Sequence, residues 1–314
     1  MKKITALFLA CFCITYGITF MFYNVENLFD IFDDPKTRDG DFMPGGSKRY
    51  TYRAYDLKCR HLADVINHVN PDILGMVEVE NRQALEDMRR HMYFYKEWEI
   101  LIADGNDIRG IDPALMYRRD RLELIRYVYY PVFIKERGYH SRPIMRIDLA
   151  VRKTSDTLSV FINHWPSRRG GKGTTDVFRL FAAEVLLNSV DLTLKEHPSY
   201  IILITGDFND DAHDTCLTRL YKGSDIRYLT KRLPRGVGGT YYYDGEWIHF
   251  DHFLICNEPS PDIVRDVRVV APAWIREERT NGPLRSYKGV DMLGGYSDHF
   301  PIALKLDFKR KNVE

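Results

Sequence analysis

The stretch Tyr200-Ile201-Ile202-Leu203-Ile204-Thr205-Gly206-Asp207-Phe208-Asn209 joins an uninterrupted apolar run to a short polar end. An apolar run of this length without alternation is typical of a strand that is covered on both faces. A second run of the same kind, Ile73-Leu74-Gly75-Met76-Val77, is followed by Glu78. The two runs predict central strands of a buried sheet, and each ends in a carboxylate that can bind a cation or a proton.

Helical patterns precede both of these buried runs. Apolar residues recur at helical spacing between Leu62 and Val69, and the helix that they predict ends at Asn70-Pro71. A second helix is predicted over residues 177–194. Helices interspersed with strands indicate packed sheets flanked by helices, and a chain without repeats or linkers indicates one domain. The other predicted strands cover residues 18–23, 144–151, 158–163, 247–255 and 301–306.

Several of the predicted strands end abruptly in acidic, amide or imidazole side chains. A single Asp or Asn after a strand is usually a turn former or a helix cap. Strand ends converge on one edge of a sheet, however, so residues far apart in sequence can line one cleft. Five strand ends show this pattern, a sixth polar group stands just before the last predicted strand, and together the six favour a shared site. The five are Phe22-Tyr23-Asn24-Val25-Glu26-Asn27, Val77-Glu78, Phe161-Ile162-Asn163-His164, Ile204-Thr205-Gly206-Asp207-Phe208-Asn209 and Phe250-Asp251-His252, and the sixth is Tyr296-Ser297-Asp298-His299-Phe300.

The residue types at these strand ends favour one kind of chemistry. Carboxylates and Asn amides are hard oxygen ligands of the kind that Mg²⁺ or Mn²⁺ prefers. Zinc is less favoured, because the His residues stand beside Asp and not at the spacings of zinc ligands. The sequence has no Gly-x-Ser-x-Gly nucleophile elbow and no Gly-x-x-x-x-Gly-Lys-Ser/Thr phosphate loop. Attack by an activated water is therefore the simplest prediction.

The overall charge excludes long-range attraction as the way to gather an anionic substrate. Lys and Arg number 45 and Asp and Glu 44, which gives a net charge of +1. An anion must therefore be held locally. The basic loop Trp165-Pro166-Ser167-Arg168-Arg169-Gly170-Gly171-Lys172-Gly173 lies beside His164, Arg142 precedes a predicted strand, and Lys231-Arg232-Leu233-Pro234-Arg235 forms a second basic loop. We predict substrate contacts from Arg168 and Arg142, although short basic loops are often only solvated surface.

The N-terminus has the pattern of a signal peptide. Met1-Lys2-Lys3 precedes an apolar stretch over residues 4–15, which is too short to span a bilayer. Cleavage after Gly17 would leave residues 18–314 as the mature domain and would place it in the periplasm or outside the cell. A buried N-terminal strand or helix is the alternative, and lipid attachment at Cys11 is favoured less because Phe8 stands where Leu is preferred.

The cysteines do not form a recognisable framework. Cys11 and Cys13 fall in the predicted signal peptide, which leaves Cys59, Cys216 and Cys256. Three widely spaced cysteines without a Cys-x-x-Cys pair argue against a disulfide scaffold and against a structural zinc site. We predict buried thiols and leave one disulfide open.

Taken in order, the strand-end motifs closely resemble those of the endonuclease/exonuclease/phosphatase superfamily, which includes the DNase I-like nucleases and Mg²⁺-dependent phosphodiesterases. The resemblance covers nearly the whole predicted mature chain. It implies an α/β fold in which two mixed β-sheets pack face to face and helices flank them, a four-layered α/β sandwich. The motifs are Asn24-Val25-Glu26-Asn27, Asp72-Ile73-Leu74-Gly75-Met76-Val77-Glu78-Val79, Gly206-Asp207-Phe208-Asn209, Gly239-Thr240-Tyr241 with Trp247 and Asp251-His252, and Ser297-Asp298-His299-Phe300-Pro301.

The resemblance also implies roles for individual residues. Glu78 would be the principal ligand of Mg²⁺, with Mn²⁺ as the other candidate, and Asn24, Glu26 and Asp298 would surround the same metal. Asp207 would orient or deprotonate the attacking water, and Asn209 would hold that water or a phosphate oxygen. His299, steered by Asp251, would stabilise charge on the scissile phosphate. His164 falls where many relatives place a His thought to assist the leaving group, although others have Tyr there.

The substrate stays open at the level of sequence. A nuclease acting on the phosphodiester bonds of DNA or RNA is the first hypothesis, and a phosphatase or phosphodiesterase for a small phosphoester or a sphingomyelin-like lipid is the second. No long exposed apolar hairpin is evident, which favours nucleic acid over lipid. A non-catalytic binding module is the third hypothesis, but it predicts damaged motifs. No stable membrane insertion and no protein partner are predicted.

Overall fold

The computed structural model describes residues 15–103, 105 and 107–310. In that part of the chain the α-helices are α1 (Tyr52–Val69), α2 (Arg82–Arg89), α3 (Lys172–Glu196) and α4 (Thr215–Tyr221). Short 3-10 helices cover Gly40–Phe42, Tyr95–Glu97, Lys135–Arg137, Pro261–Ile263 and Ala273–Ile275. The strands are β1 (Thr15–Leu28), β2 (Ile73–Val79), β3 (Trp98–Ile102), β4 (Asp112–Arg118), β5 (Leu122–Ile134), β6 (Tyr139–Val151), β7 (Thr157–His164), β8 (Ile201–Asp207), β9 (Arg227–Leu229), β10 (Tyr241–Tyr243), β11 (Glu246–Ile248), β12 (Asp251–Cys256), β13 (Val264–Val269), β14 (Tyr287–Lys288), β15 (Asp291–Met292) and β16 (Ile302–Lys309).

The longer strands form two mixed sheets of six strands each. The first sheet has the order β13-β16-β1-β2-β4-β3 and the second the order β5-β6-β7-β8-β12-β9. Each sheet has one parallel pair near its centre, β1 with β2 and β7 with β8, whereas its other neighbours run antiparallel. The remaining strands form two small hairpins, β10-β11 and β14-β15.

The sheets pack face to face, and the helices cover their outer faces. Phe20 of β1 and Phe253 of β12 are fully buried, and their rings meet edge to face at 5.4 Å across the interface. This central core holds apolar residues from both sheets and from α1, whereas a second core lies between the second sheet and helices α3 and α4. The predicted four-layered sandwich is confirmed.

The helix boundaries follow the local chemistry. Helix α1 begins after Thr51, whose side chain accepts a hydrogen bond from the Ala54 N–H, and it ends at Asn70 in the left-handed conformation. The end at Asn70-Pro71 is the predicted one. Leu62 and Ile66 face the core, and the same face buries the charged Lys58. The burial of Lys58 is not evident from the sequence.

The single strand predicted over residues 247–255 is wrong. The structure divides these residues between β11 and β12, which belong to different sheets. At the break, the Phe250 N–H donates to Thr240 Oγ1 and the Phe250 carbonyl accepts from the Phe208 N–H. The chain thus leaves the β10-β11 hairpin and enters the second sheet at Asp251. The apolar residues alone do not mark the break, because it depends on contacts with Thr240 and Phe208, which lie elsewhere in the chain.

The N-terminal predictions fall mainly on residues 1–14, which lie outside the described residues, as does Cys11. Residues 15–17 begin β1 and pair with residues 307–309 of β16. The signal peptide and its cleavage after Gly17 stay predictions. Among the described helices, none is both long and apolar enough to span a membrane. Cys59, Cys216 and Cys256 are buried free thiols.

Candidate active site

The two parallel strand pairs bring their carboxyl ends to the same edge of the sandwich. Asn24 of β1 donates to Asp207 of β8 across the two sheets, with 3.0 Å between Nδ2 and Oδ2. His164 and Asp207 end β7 and β8 and are direct partners in the sheet register. A cavity of about 180 Å³ opens at this edge, and it is lined by Glu78, Arg109, Arg142, His164, Ser167, Asp207, Asn209, Tyr241, Phe250, Asp298 and His299.

Irregular backbone aims these side chains into the cavity. The pairing of β1 with β2 and of β2 with β4 shifts register where Glu26, Asn27 and Glu78 lie. These three residues and Asn209 have positive φ angles between 49° and 66°. Such a conformation is uncommon for residues with a side chain, and bulges of this kind redirect side chains near active sites. The strand ends therefore store local strain, and two of these four residues, Glu78 and Asn209, line the cavity.

A glycine allows the two strands of the second sheet to come close here. Gly206 pairs with Asn163, and a Cβ atom at Gly206 would lie 2.2 Å from the Asn163 carbonyl oxygen. Any side chain at this position would push β8 away from β7. Gly206 in the Gly-Asp-Phe-Asn motif is therefore needed to place Asp207 beside His164.

Glu78 lines the cavity, and Asn24, which was predicted to surround the metal, lies buried behind it and outside the residues that line the cavity. Glu78 Oε2 accepts the Asn27 N–H at 3.0 Å, and Glu78 Oε1 lies 3.4 Å from Asn24 Nδ2. The Asn24 amide oxygen accepts the Glu26 N–H, so its amide nitrogen is the group that faces the two carboxylates. In this arrangement Asn24 holds Glu78 and Asp207 in place.

Glu26 was predicted to surround the metal, but the structure places it outside the residues that line the cavity. Its two carboxylate oxygens accept the N–H groups of Ser286 and Tyr287 at 2.5 and 3.1 Å. Burial raises the pKa of Glu26 to about 8, with Asp298 adding to the rise and Lys58 opposing it. Glu26 joins β1 to the segment that precedes β14, and it supports the site from behind.

Asp207, Asp251 and His299 form a linked set on the far wall. His299 Nδ1 donates to Asp251 Oδ2 at 2.8 Å, and His299 Nε2 lies 3.8 Å from Asp207 Oδ2. Burial lowers the pKa of His299, but the Asp251 and Asp207 carboxylates raise it well above its ordinary value. Burial raises the pKa of Asp207 to about 7, and His299 opposes this rise. The carboxyl groups of Asp251 and Asp207 thus favour the protonated imidazole, and burial favours proton uptake by Asp207 opposite it.

Asn209 completes this wall. Its N–H donates to Asp207 Oδ1 at 2.9 Å, and its amide nitrogen donates to the Trp165 carbonyl at 3.1 Å. Both bonds are buried, which fixes the side chain at the cavity wall. The amide oxygen is then the group of Asn209 that can accept a hydrogen bond from a water in the cavity.

Two arginines and a histidine form the opposite end of the cavity. Arg142 is 8% exposed, and its Nε donates to His164 Nδ1 at 3.1 Å. Asp107 bridges Arg142 and Arg109, with 3.6 Å to Arg142 Nη1 and 3.0 Å to Arg109 Nη2. Burial and the two arginines lower the pKa of His164 well below its ordinary value. His164 is therefore a neutral hydrogen-bonding group here, which does not match a protonated acid for the leaving group.

Four further residues line the cavity that were not predicted to belong to the site: Arg109, Ser167, Tyr241 and Phe250. Tyr241 follows the Gly239-Thr240 motif, so that motif was a signal for it. Arg109 lies in the loop between β3 and β4, and nothing in the local sequence marks it. Only the folded chain shows that this loop reaches the site.

Arg168 was predicted to contact substrate, but its guanidinium is used within the protein. It donates to the Asn209 carbonyl at 2.8 Å and pairs with Asp210 and Asp214. It also lies 5.1 Å from the centre of the Phe250 ring. Arg168 is not among the residues that line the cavity, and its contacts hold the Asn209 loop in place.

A second acidic cluster lies behind this loop. Asp176, Asp210 and Cys216 each offer a ligand atom, and these atoms lie within 4.8 Å of one another. Arg179 pairs with both carboxylates, and Arg168 pairs with Asp210. Two guanidinium groups therefore neutralise the cluster, which serves to anchor the loop.

The cavity lined by Glu78, Asp207 and Asp298 fits a hard divalent cation better than the cluster of Asp176, Asp210 and Cys216 does. Glu78, Asp207 and Asp298 line it together, so three carboxylates face one small volume. Carboxylate oxygens are the donors that Mg²⁺ and Mn²⁺ prefer, and a cation would relieve the mutual repulsion of these groups. Glu78 and Asp298 are partly exposed to the cavity, as ligands that exchange with water must be.

Comparison with known proteins agrees with this arrangement. The profile of the Endonuclease/Exonuclease/phosphatase family matches residues 19–308. No curated protein matches the chain. Among solved structures, an endonuclease/exonuclease/phosphatase family protein from Bacteroides thetaiotaomicron is 17% identical with a TM-score of 0.62, over 96% of this chain and 100% of the other.

Two further structures show the same fold. The mannosyl-6-phosphatase of Bacteroides thetaiotaomicron is 17% identical with a TM-score of 0.63, over 93% of this chain and 100% of the other. A humanized D. rerio TDP2 is 14% identical with a TM-score of 0.61, over 93% and 99% of the two chains. At these identities the likeness is one of fold. The family profile extends over nearly the whole described chain, and on that ground the chain belongs to the endonuclease/exonuclease/phosphatase family of hydrolytic phosphoesterases.

Proposed function

We propose that this chain is a divalent-metal-dependent phosphodiesterase that hydrolyses nucleic acid by attack of water. The observation that carries the proposal is the linked set of Asp207, His299 and Asp251, which faces Glu78 and Asp298 across one small cavity. This arrangement offers a proton acceptor, a positive donor and an oxygen ligand set within reach of one phosphate. DNA or RNA is the substrate class proposed here.

Different residues of the cavity have different roles in the proposed hydrolysis. His299, protonated and held by Asp251, donates to a phosphate oxygen and stabilises charge that develops there. Asp207 accepts a proton from the attacking water, and the Asn209 amide oxygen orients that water. Both groups are fixed by buried hydrogen bonds, so little reorganisation is needed as the reaction proceeds.

The metal proposal names Mg²⁺, with Mn²⁺ as the alternative. Glu78 and Asp298 would hold the cation, and Asn24 would keep the Glu78 ligand and the Asp207 proton acceptor in place. When bound, a divalent cation supplies Lewis-acid polarisation of the phosphoryl oxygens.

Replacing Glu78 by glutamine should weaken Mg²⁺ binding by at least about tenfold, because a neutral amide replaces a charged ligand of equal size. Glutamine can still accept the Asn27 N–H, so the fold should be kept. Calorimetric titration with Mg²⁺ and the metal-dependent rise in Tm measure the effect without reference to activity. Glu123→Gln, a change at a side chain that is 63% exposed on β5, is the control. Equal metal affinity in both variants would remove Glu78 from the ligand set.

A phosphomonoesterase is the second candidate, and the pair of arginines at one end of the cavity favours it. Arg109 and Arg142 lie beside His164 and can together bind the additional charge of a terminal phosphate. One of the structures similar to this chain is a mannosyl-6-phosphatase. A sugar phosphate or another small phosphoester is the substrate class for this candidate.

Replacing Arg109 by alanine should separate the two candidates. Its side chain is 49% exposed, so its loss leaves no buried cavity. If the terminal phosphate is the substrate, KM for p-nitrophenyl phosphate should rise about tenfold more than KM for the diester bis-p-nitrophenyl phosphate. Arg60→Ala on α1, where the side chain is 51% exposed, controls for the loss of a surface charge. Equal changes in both KM values would count against recognition of a terminal phosphate.

The direct test of the proposed function is hydrolysis of plasmid DNA, RNA, p-nitrophenyl phosphate, bis-p-nitrophenyl phosphate and sphingomyelin, each with Mg²⁺ and with EDTA. Metal-dependent cleavage of polynucleotide supports the nuclease. Cleavage of only a small ester or of the lipid keeps the mechanism and changes the substrate. No cleavage of any of these would favour a non-catalytic binding module.

We also propose that the protein is exported to the periplasm or beyond. The charged N-terminus and the apolar stretch that follows it support this proposal. N-terminal sequencing of the protein from its source cells tests it, because an uncleaved Met1 on a cytoplasmic protein would contradict export.

A further inference from the structure

A row of aromatic rings leads out of the catalytic cavity. The Tyr241 ring lies 4.9 Å from the His299 ring, and the Tyr243 ring lies 6.4 Å from the Tyr241 ring with the two planes within 16°. Tyr241 and Tyr243 are two residues apart in β10 and so project from the same face of the hairpin. Tyr243 is 61% exposed. The row therefore connects the catalytic histidine with solvent.

A larger cavity, of about 580 Å³, lies alongside this row, and we refer to it as the hairpin groove. Its walls come from the β10-β11 hairpin and from the segment between β13 and β15. The residues that matter for binding are Tyr242, Tyr243, Arg279, Arg285 and Lys288. None of these residues is needed for the chemistry described above.

The charge of the hairpin groove favours an anion. Arg279, Arg285 and Lys288 contribute three positive charges, whereas Asp244 and Glu277 contribute two negative ones. Glu277 Oε2 already accepts three hydrogen bonds from Arg279 and Thr280 of its own turn. The negative charge of Glu277 is therefore stabilised by donors of its own turn, and positive side chains outnumber negative ones in the groove.

Arg285 links the hairpin groove to the catalytic cavity. Burial of the Tyr241 phenol raises its pKa to about 12. Arg285 contacts this phenol, and its positive charge opposes the rise. Tyr241 lines the catalytic cavity, and Arg285 lines the groove. A ligand that spans the two cavities would therefore pass over one continuous wall.

We propose that the hairpin groove binds an unpaired nucleotide that flanks the scissile phosphate, with its base stacked on Tyr243 and its phosphate held by Arg279 and Lys288. This inference rests on the proposed nuclease function and adds a strand type to it. Aromatic rings interleaved with cations are the usual surface for single-stranded nucleic acid. A duplex hides the faces of its bases, so an exposed ring favours an unpaired strand.

The shape of the hairpin argues for nucleic acid and against a lipid. Its strands have three residues each, and its exposed ring is a phenol. A membrane-binding hairpin would present a larger apolar surface. Beside three cations, a phenol ring can stack on a base and remain hydrated at its hydroxyl.

The test uses the full chain, labelled oligothymidine and two readouts. In EDTA, fluorescence anisotropy measures binding without cleavage. With Mg²⁺, kcat/KM is measured for the same oligonucleotide and for bis-p-nitrophenyl phosphate. Tyr243→Ala should weaken binding about tenfold and lower kcat/KM for the oligonucleotide by a similar factor, while the small ester is cleaved at the normal rate. Tyr243→Phe should restore binding, because the stacking face is kept.

Two further variants make the result specific. Tyr93→Ala removes a tyrosine that is also 61% exposed but lies away from the groove, where its backbone hydrogen-bonds with Asn67 and Trp98. This variant should bind oligothymidine normally. Arg279→Gln should reduce the slope of log affinity against log salt by about 0.7, as expected for the loss of one phosphate contact on a single strand.

The outcomes separate the groove from the proposed function. If the protein cleaves oligothymidine and Tyr243→Ala is unchanged in both readouts, the groove proposal is wrong and the nuclease stands. If the protein binds oligothymidine through Tyr243 but does not cleave it, the groove stands and the nuclease fails. If oligothymidine does not bind, and sphingomyelin vesicles do so through Tyr243, the groove belongs to a lipid.

Discussion

Replacing His299 by alanine is expected to lower kcat by about 10³-fold, since the phosphate then loses its charged donor in the transition state. The imidazole is fixed by a 2.8 Å bond to Asp251 and kept protonated by Asp251 and Asp207. It is not part of the proposed ligand set. Mg²⁺ affinity by calorimetry should therefore stay close to normal while turnover falls.

The variant also leaves Asp251 without its imidazole partner, so some loss of Tm is expected. Turnover should be compared well below the Tm of the variant. His197→Ala is the matched control, because His197 follows α3 and stacks on Tyr200, at the end of β8 away from Asp207. A His299→Ala protein with near-normal kcat on every substrate that the wild type cleaves would exclude His299 from the mechanism.

Asp207→Asn is expected to reduce kcat by a similar factor, about 10³-fold, for a different reason. The amide has nearly the same size and can still accept the Asn209 N–H, but it cannot take a proton from water. It also opposes the Asn24 amide nitrogen, which donates to Asp207 Oδ2 at 3.0 Å. Both the loss of the proton acceptor and the disturbed contact reduce activity.

Steady-state kinetics and a thermal melt distinguish this result from misfolding. Asp225→Asn, an isosteric change at an exposed residue before β9, controls for the substitution itself and should retain activity. Because His299 remains in place, Asp207→Asn should still bind oligothymidine in EDTA. Turnover within tenfold of the wild type would mean that another group activates the water.

The order of apolar residues within one segment was sufficient to predict several strands and helices. The apolar runs before Glu78 and Asp207 are β2 and β8, and the helix that ends at Asn70 is α1. These elements follow from burial on both faces or on one helical face, which the order of apolar residues records directly. The division of residues 247–255 between two sheets depends on Thr240 and Phe208, which lie elsewhere in the chain.

In the candidate site, too, some residues were predictable from the local sequence and others only from the folded chain. The strand-end carboxylates and Asn209 were predicted because acidic and amide residues directly follow apolar strands, whereas the role of His299, which stands just before the last strand, was implied by the family resemblance. Glu26 and Arg168 have the right type and position in sequence, yet their side chains bind other parts of the protein. Arg109 has no local signal, but it lines the cavity. A residue's type restricts what it can do, and its tertiary contacts decide which of these it does.

The sequence by itself determined the two buried strand runs, the helices beside them and the set of oxygen and imidazole groups available for phosphate chemistry. These features depend on periodicity and residue type, which are properties of short segments. Only the tertiary structure decided which groups share the cavity, that His164 is neutral while His299 is charged, and that an aromatic row leads to a second groove. Those properties depend on burial and on charges from distant segments, and neither exists until the two sheets have packed together.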